Sequence, residues 1–177
     1  MQFKQITNFP PMLFVSIGLF LPCLTLAEGV ENNEIYSLCD AGDLVFFTCT
    51  TVNKKIISLC GKGLKNNPTG IYYRFGRKDN VEMDFPKDKD KSSFQKFSKD
   101  YYFRYRVNLT TISFKNNGYC YSIYDNYIGD DPEIEDKFER GVVVTAKGAI
   151  KNIADIKCSS NYGADLSVIN KLSDYVE

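Results

Sequence analysis

Period-two alternation limits this chain more than any other feature. From Leu44 it reads LVFFTCTTVNKKIISLC, two apolar runs rich in β-formers that reach Cys49 and Cys60 across a polar break at Asn53-Lys54-Lys55. Runs of this length are strand-sized and the break is turn-sized, so a hairpin is the economical reading. With a two-residue loop at Lys54-Lys55, Asn53 faces Ile56 and Cys49 falls opposite Cys60. A disulfide between those two is then available; other pairings stay open, because sequence alone does not fix connectivity.

The same alternation recurs downstream. Gly61 to Gly70, with further glycine, two asparagines and a proline, reads as a loop. Ile71 to Phe75 is a strand with Ile71, Tyr73 and Phe75 on one face and Tyr72 and Arg74 on the other. Asn80 to Phe85 alternates again until Pro86, which has no backbone donor. Lys87 to Asp100 is mixed Lys, Asp and Ser, the composition of a solvated loop. Tyr101 to Asn108 then predicts a strand with Tyr101, Phe103, Tyr105 and Val107 toward the core and Tyr102, Arg104, Arg106 and Asn108 away from it. Leu109 to Lys115, Asn116-Asn117-Gly118 and Tyr119 to Tyr127 make a second hairpin on a strong turn signal. Gly141 to Lys147 and Ile150 to Cys158 make a third around Gly148. Behind a cap at Asp165, Leu166, Ile169, Leu172 and Val176 recur at helical spacing. The expected class is mainly β: an antiparallel β-sandwich or curled sheet of hairpins, about eight or nine strands, with a short C-terminal helix.

Residues 1–27 stand apart. Lys4, the apolar core Met12 to Leu24 and the small-residue exit Thr25-Leu26-Ala27 predict a signal peptide, leaving one domain over 28–177. The apolar stretch is too short, and too interrupted by Pro10, Pro11 and Pro22, for a membrane span, so no stable anchor is expected after cleavage. Lys4 is the leader's only charge, so 22 basic and 22 acidic residues become 21 against 22, net −1. That balance argues against nucleic acid, which needs a clustered positive field.

Catalytic chemistry is poorly provided for. The chain has no His, hence no ordinary general base near neutral pH and no partner for a Cys or Ser nucleophile. Ser58 with Lys54 or Lys55 has no supporting motif, and Glu82 and Asp84 do not single out a carboxylate pair. Gly61-Lys62-Gly63 lacks P-loop spacing, and Asp130, Asp131, Glu133, Glu135 and Asp136 do not follow an EF-hand pattern. No catalytic, cofactor or metal residue is therefore assigned. Without any CxxC spacing, the cysteines read as disulfide candidates: Cys49, Cys60, Cys120 and Cys158, with Cys39 as the odd one left over.

What remains is a possible binding surface. If Ile71 to Phe75 and Tyr101 to Val107 share a sheet, Tyr72, Arg74, Tyr102, Arg104 and Arg106 leave the face opposite the core. Tyr and Arg are the types that most often carry interface energy. Tyr72-Tyr73-Arg74-Phe75 is also echoed by Tyr102-Phe103-Arg104-Tyr105, too short a match to claim duplication.

Three pieces resemble a group of small exported proteins of Gram-negative bacteria to which no activity is attached. They are Phe47-Thr48-Cys49 with Lys55 and Ser58-Leu59-Cys60, then Tyr73-Arg74-Phe75-Gly76, then Gly141-Val142-Val143-Val144 leading to Ile156-Lys157-Cys158. The resemblance implies a periplasmic or secreted location and a framework role for Cys49, Cys60 and Cys158. It carries no site residues. The function expected is a non-catalytic binding protein, an inhibitor or immunity-type protein that caps an envelope-active enzyme. The alternatives are a carbohydrate-directed lectin-like module or glycosidase using an aromatic groove, or a structural envelope protein.

Overall fold

The computed structural model describes residues 36–129, 137–149 and 151–174, excluding the side chains of 160–162 and 167. The leader, the acidic cluster at 130–136, Ile150 and Val176 lie outside the described residues. The chain divides into Met1–Asn32 and Asn33–Glu177, and only the second unit is treated below.

Ten strands are described: β1 Leu44–Thr51, β2 Ile56–Leu64, β3 Asn67–Arg77, β4 Asn80–Phe85, β5 Phe97–Arg104, β6 Val107–Asn116, β7 Tyr119–Ile128, β8 Lys137–Ala146, β9 Asn152–Ala164 and β10 Ser173–Asp174. They form one sheet in the order β10-β5-β6-β7-β8-β9-β1-β2-β3-β4. Two antiparallel meanders, β1 to β4 and β5 to β9, are joined where β9 pairs with β1. The chain is thus mainly β, as its alternation predicts.

The sheet curls on itself. Phe85 of β4 stacks on Phe114 of β6, centroids 4.7 Å apart, and meets Phe97 of β5 edge-on at 5.8 Å. The core fills the inner face, with Phe47, Ile57, Leu59, Ile71 and Tyr73 from one meander and Phe97, Ile112, Phe114, Ile123 and Val142 from the other. Burying large side chains of this kind contributes about 1.5–3 kcal/mol each, which offsets the entropy of ordering so much strand.

The first hairpin exists, but its register differs from the expected one. Thr50 faces Ile56 and Cys49 faces Ile57, around a loop in which Thr51 N–H donates to Lys55 O at 2.8 Å and Lys54 takes φ +57°. Relative to a two-residue loop this is a slip of three residues. An odd slip exchanges faces, so Cys60 lies outside and Cys49 inside, and the expected Cys49–Cys60 bond cannot form. The bonds are Cys39–Cys60 and Cys49–Cys158, while Cys120 is a free thiol. Cys39, expected to be left over, is bonded. Two such bonds fit an oxidising compartment.

Three more expectations are corrected. Gly61 to Gly70 is not a loop: β2 and β3 run through it and turn only at Lys65-Asn66. Its glycines mark close approach instead. A Cβ at Gly70 would sit 1.9 Å from the Lys89 carbonyl oxygen, and one at Gly61 would meet the Phe46 ring at 2.3 Å. Lys87 to Asp100 contains a 3-10 turn, Lys91–Lys96, whose Ser93 hydroxyl accepts the Ile71 N–H at 2.8 Å, and then the first residues of β5. Tyr101 to Asn108 is not one strand, because the chain reverses at Tyr105-Arg106, with Arg104 facing Val107 and Arg106 at φ +59°.

At the C-terminus the helix is a 3-10 stretch, Leu166–Lys171. Leu166, Ile169 and Leu172 recur every third residue, a spacing that lines up along a 3-10 turn. Val168 and Leu172 close the core, and β10 then lies parallel to Ser98 and Lys99 of β5. Among the described residues, no helix is long and apolar enough to cross a membrane.

Candidate ligand cleft and aromatic hairpin

The inner face changes character half-way along four neighbouring strands. Toward one end it presents the row Phe97, Phe114, Tyr121 and Val144, then Ile112, Ile123 and Val142. Beyond these, alternation brings polar residues to the same face. One row is Tyr101, Thr110, Asp125 and Arg140, and the next is Phe103, Asn108, Tyr127 and Phe138. Thr110, Asp125 and Arg140 each stand two positions from a core residue, Ile112, Ile123 and Val142, so the strand period sends them inward.

These rows, Phe103 apart, floor a cleft of about 520 Å³, whose facing wall is the end of β9 and the 3-10 stretch, with Ala164, Leu166, Ile169 and Asn170. That volume is within the range of small-ligand sites. Asp125 and Arg140 face each other across β7 and β8, Oδ1 to Nε 2.6 Å, with side chains 19% and 12% exposed. The Arg140 guanidinium also lies 4.8 Å from the Phe138 ring centre. Held by a carboxylate and a ring, it keeps a fixed plane. Phe138 in turn packs on Tyr127 at 5.0 Å. Thr110 donates to Asn108 Oδ1 at 3.1 Å. Lys99 completes the lining, its Nζ 3.9 Å from Asp174, whose side chain is 89% exposed.

Next to the cleft mouth stands the β5–β6 hairpin. Tyr101, Tyr102, Phe103 and Tyr105 are 52%, 52%, 66% and 85% exposed, with Arg104 exposed beside them. The expected core face, Tyr101, Phe103 and Tyr105, is therefore largely solvent-facing, and Tyr105 sits in the turn. Of that set only Val107 is buried, at 4%.

The five residues expected to share one surface are divided between two places. Tyr102 and Arg104 belong to the exposed hairpin, with Arg106 half-buried at its turn. Tyr72 and Arg74 lie on the outer face of β3, beneath the lead-in Tyr36–Asp43. The lead-in crosses that face strand by strand. Thr48 donates to Tyr36 O at 2.8 Å, Leu38 N–H to Ser58 Oγ at 2.9 Å, and Asp40 N–H to Tyr72 Oη at 2.9 Å. Arg74 donates to Leu38 O at 2.8 Å and to Asp40 Oδ1 at 2.6 Å, and its Nε lies 3.3 Å from Asp84.

Tyr72 is fully buried, and burial first, then its bond to Asp43, pushes its hydroxyl well above the ordinary tyrosine range. The Arg74 hydrogen bond holds the Asp40 carboxyl below the usual carboxylate range, against partial desolvation. This cluster is a latch for the segment carrying Cys39. The two members of the sequence echo thus have opposite fates: Tyr73 is core, while Phe103 projects into solvent.

The cleft was not foreseen from the sequence. Its signal was there in the polar residues Thr110, Asp125 and Arg140 at inward positions, each next in period to Ile112, Ile123 and Val142. Among the described residues, no group of three or more Cys, Asp or Glu is placed to hold a metal ion. Compared with known proteins, the chain matches no family model, no curated protein and no solved structure.

Proposed function

We propose that the protein is an exported, non-catalytic binding protein that engages a protein partner through the β5–β6 hairpin, as an inhibitor or immunity-type protein does when it caps an envelope-active enzyme. One observation carries this reading: four exposed aromatic side chains and an exposed arginine within Tyr101–Tyr105. Exposed aromatics in a cluster are costly to leave in water and are enriched with Arg at interface centres. Export is supported by the leader-like first 27 residues and by two disulfides. A periplasmic or secreted location, the resemblance to exported Gram-negative proteins and the absence of catalysis belong to the same proposal.

The test is capture from the source organism's envelope extract with immobilised protein. Wild type retains one protein at fixed stoichiometry, and Phe103→Ala with Tyr105→Ala releases it while leaving the melting temperature unchanged. Capture that survives this double change sinks the hairpin as the contact.

A further inference from the structure

We propose that the cleft between β5–β8 and the C-terminal 3-10 stretch binds a short oligosaccharide carrying a carboxylate, such as a uronic-acid oligomer. The inference rests on the cleft floor and Lys99, not on the exposed aromatic tip of the hairpin, so it stands or falls independently of the protein partner.

Three features of the cleft converge on that ligand. The first is the arrangement of rings. Tyr127 and Phe138 pack side by side on adjacent strands, 5.0 Å apart, and both line the cleft. Such a platform offers broad apolar area for the C–H face of a pyranose, and tyrosine adds a polar edge.

The second is the floor. Thr110, Asn108, Asp125 and Arg140 present hydroxyl, amide, carboxylate and guanidinium groups side by side. Donors and acceptors in alternation suit vicinal hydroxyls, each of which both gives and takes a hydrogen bond. The Asp125–Arg140 pair is preorganised, with its charges already compensated, so ordering it costs little when a ligand arrives. A purely apolar ligand would strip water from these groups without replacing its bonds.

The third is charge. Among the described lining residues the cations are Lys99 and Arg140 and the carboxylate is Asp125, which holds Arg140. Lys99 is the cation placed to meet a ligand. Its nearest acid is Asp174, 3.9 Å away and exposed to water, so a ligand carboxylate can take over the contact. A neutral sugar would leave this ammonium partly desolvated, and a long basic peptide would meet repulsion. The facing wall of Leu166, Ile169 and Asn170 then closes over the rings, consistent with two or more sugars in a cleft rather than one on a surface.

Calorimetric titration of the purified protein with trigalacturonate, triglucuronate, sialyllactose, cellotriose and inorganic phosphate tests the proposal. At least one acidic trisaccharide binds saturably, ten-fold or more tighter than cellotriose, and loses affinity as salt is raised. Lys99→Met lowers that affinity about ten-fold, the loss of one charge-assisted hydrogen bond. Lys99→Arg restores most of it, and Tyr127→Ala lowers affinity for acidic and neutral sugars alike. Melting curves establish that the variants are folded. No saturable binding by any acidic sugar, equal binding of cellotriose, indifference to Lys99→Met in the folded variant, or phosphate binding as tightly as the best sugar would each overturn the proposal.

Discussion

The two disulfides should contribute unequally, and the order follows from the topology. Cys49 and Cys158 are 109 residues apart in sequence, and Cys39 and Cys60 are 21 apart. Cross-linking removes loop-closure entropy from the unfolded chain in proportion to the logarithm of loop length, giving roughly 4.8 kcal/mol for the longer loop and roughly 3.3 kcal/mol for the shorter. The longer one also joins the two meanders at the β9–β1 junction, where the ladder shifts register twice, so little else compensates locally. Removing it as Cys49→Ala with Cys158→Ala, in a Cys120→Ser background that prevents exchange, should lower the melting temperature by roughly 10–19 °C, at about 2–4 °C per kcal/mol for a domain of this size. Cys39→Ala with Cys60→Ala should cost roughly 7–13 °C on the same basis. Cys49 and Cys60 are both fully buried, so the void left by a buried sulfur adds to both variants and leaves their order to loop length. Urea denaturation followed by circular dichroism gives both free energies. If the short-loop variant is destabilised as much as the long-loop one, the entropic ordering is wrong and native contacts of the lead-in dominate.

Two further outcomes follow from local geometry. Gly70→Ala should destabilise by about 3 kcal/mol, because backbone must move away from a methyl placed 1.9 Å from the Lys89 oxygen, whereas Gly118→Ala, with open space but φ +80°, should cost about 1–2 kcal/mol of conformational strain; denaturation midpoints showing Gly70→Ala the milder change would refute the close-approach reading. The lead-in latch should weaken in acid: the folded Asp40 carboxyl titrates below its unfolded value of about 3.9, so its stabilisation is complete above that value and is lost as pH falls through the folded one. Protection of the Leu38 and Asp40 amides, taken relative to the unstructured exchange rate at each pH, should fall below about pH 4, and Asp40→Asn should remove that dependence; an unchanged pH profile in the variant would assign the effect elsewhere.

Much of this fold was legible because local chemistry and strand period agreed. Asn117 and Gly118 both take positive φ, +48° and +80°, the conformation an Asn-Gly turn announces, and β6 and β7 followed. The reversal at Tyr105-Arg106 was hidden because neither residue advertises a turn, and the unbroken alternation across it looked like one strand. Gly61 and Gly70 misled for the converse reason: glycine signals freedom in a loop and proximity in a sheet, and only the partner, Phe46 or the Lys89 carbonyl, distinguishes the two. The disulfide pairing failed on a three-residue slip that no propensity records. As for the cleft, its polar residues were visible as interruptions of apolar rows, but their convergence depends on four strands lying in one order, which is a tertiary fact.

The strand register also bears on the order of events as the chain is made. Three of the cysteines, 39, 49 and 60, emerge together, while the partner of Cys49 follows 109 residues later. Free in solution, neighbouring thiols would pair by proximity, and Cys49 would be consumed by whichever came first. Once β1 and β2 align, however, Cys49 points to the inner face and Cys60 to the outer, so the sheet itself stands between them. Cys60 then lies on the side of the lead-in and Cys49 on the side it shares with Cys158 of β9. A hairpin that forms locally thus keeps Cys49 on the side of the strand that closes the sheet.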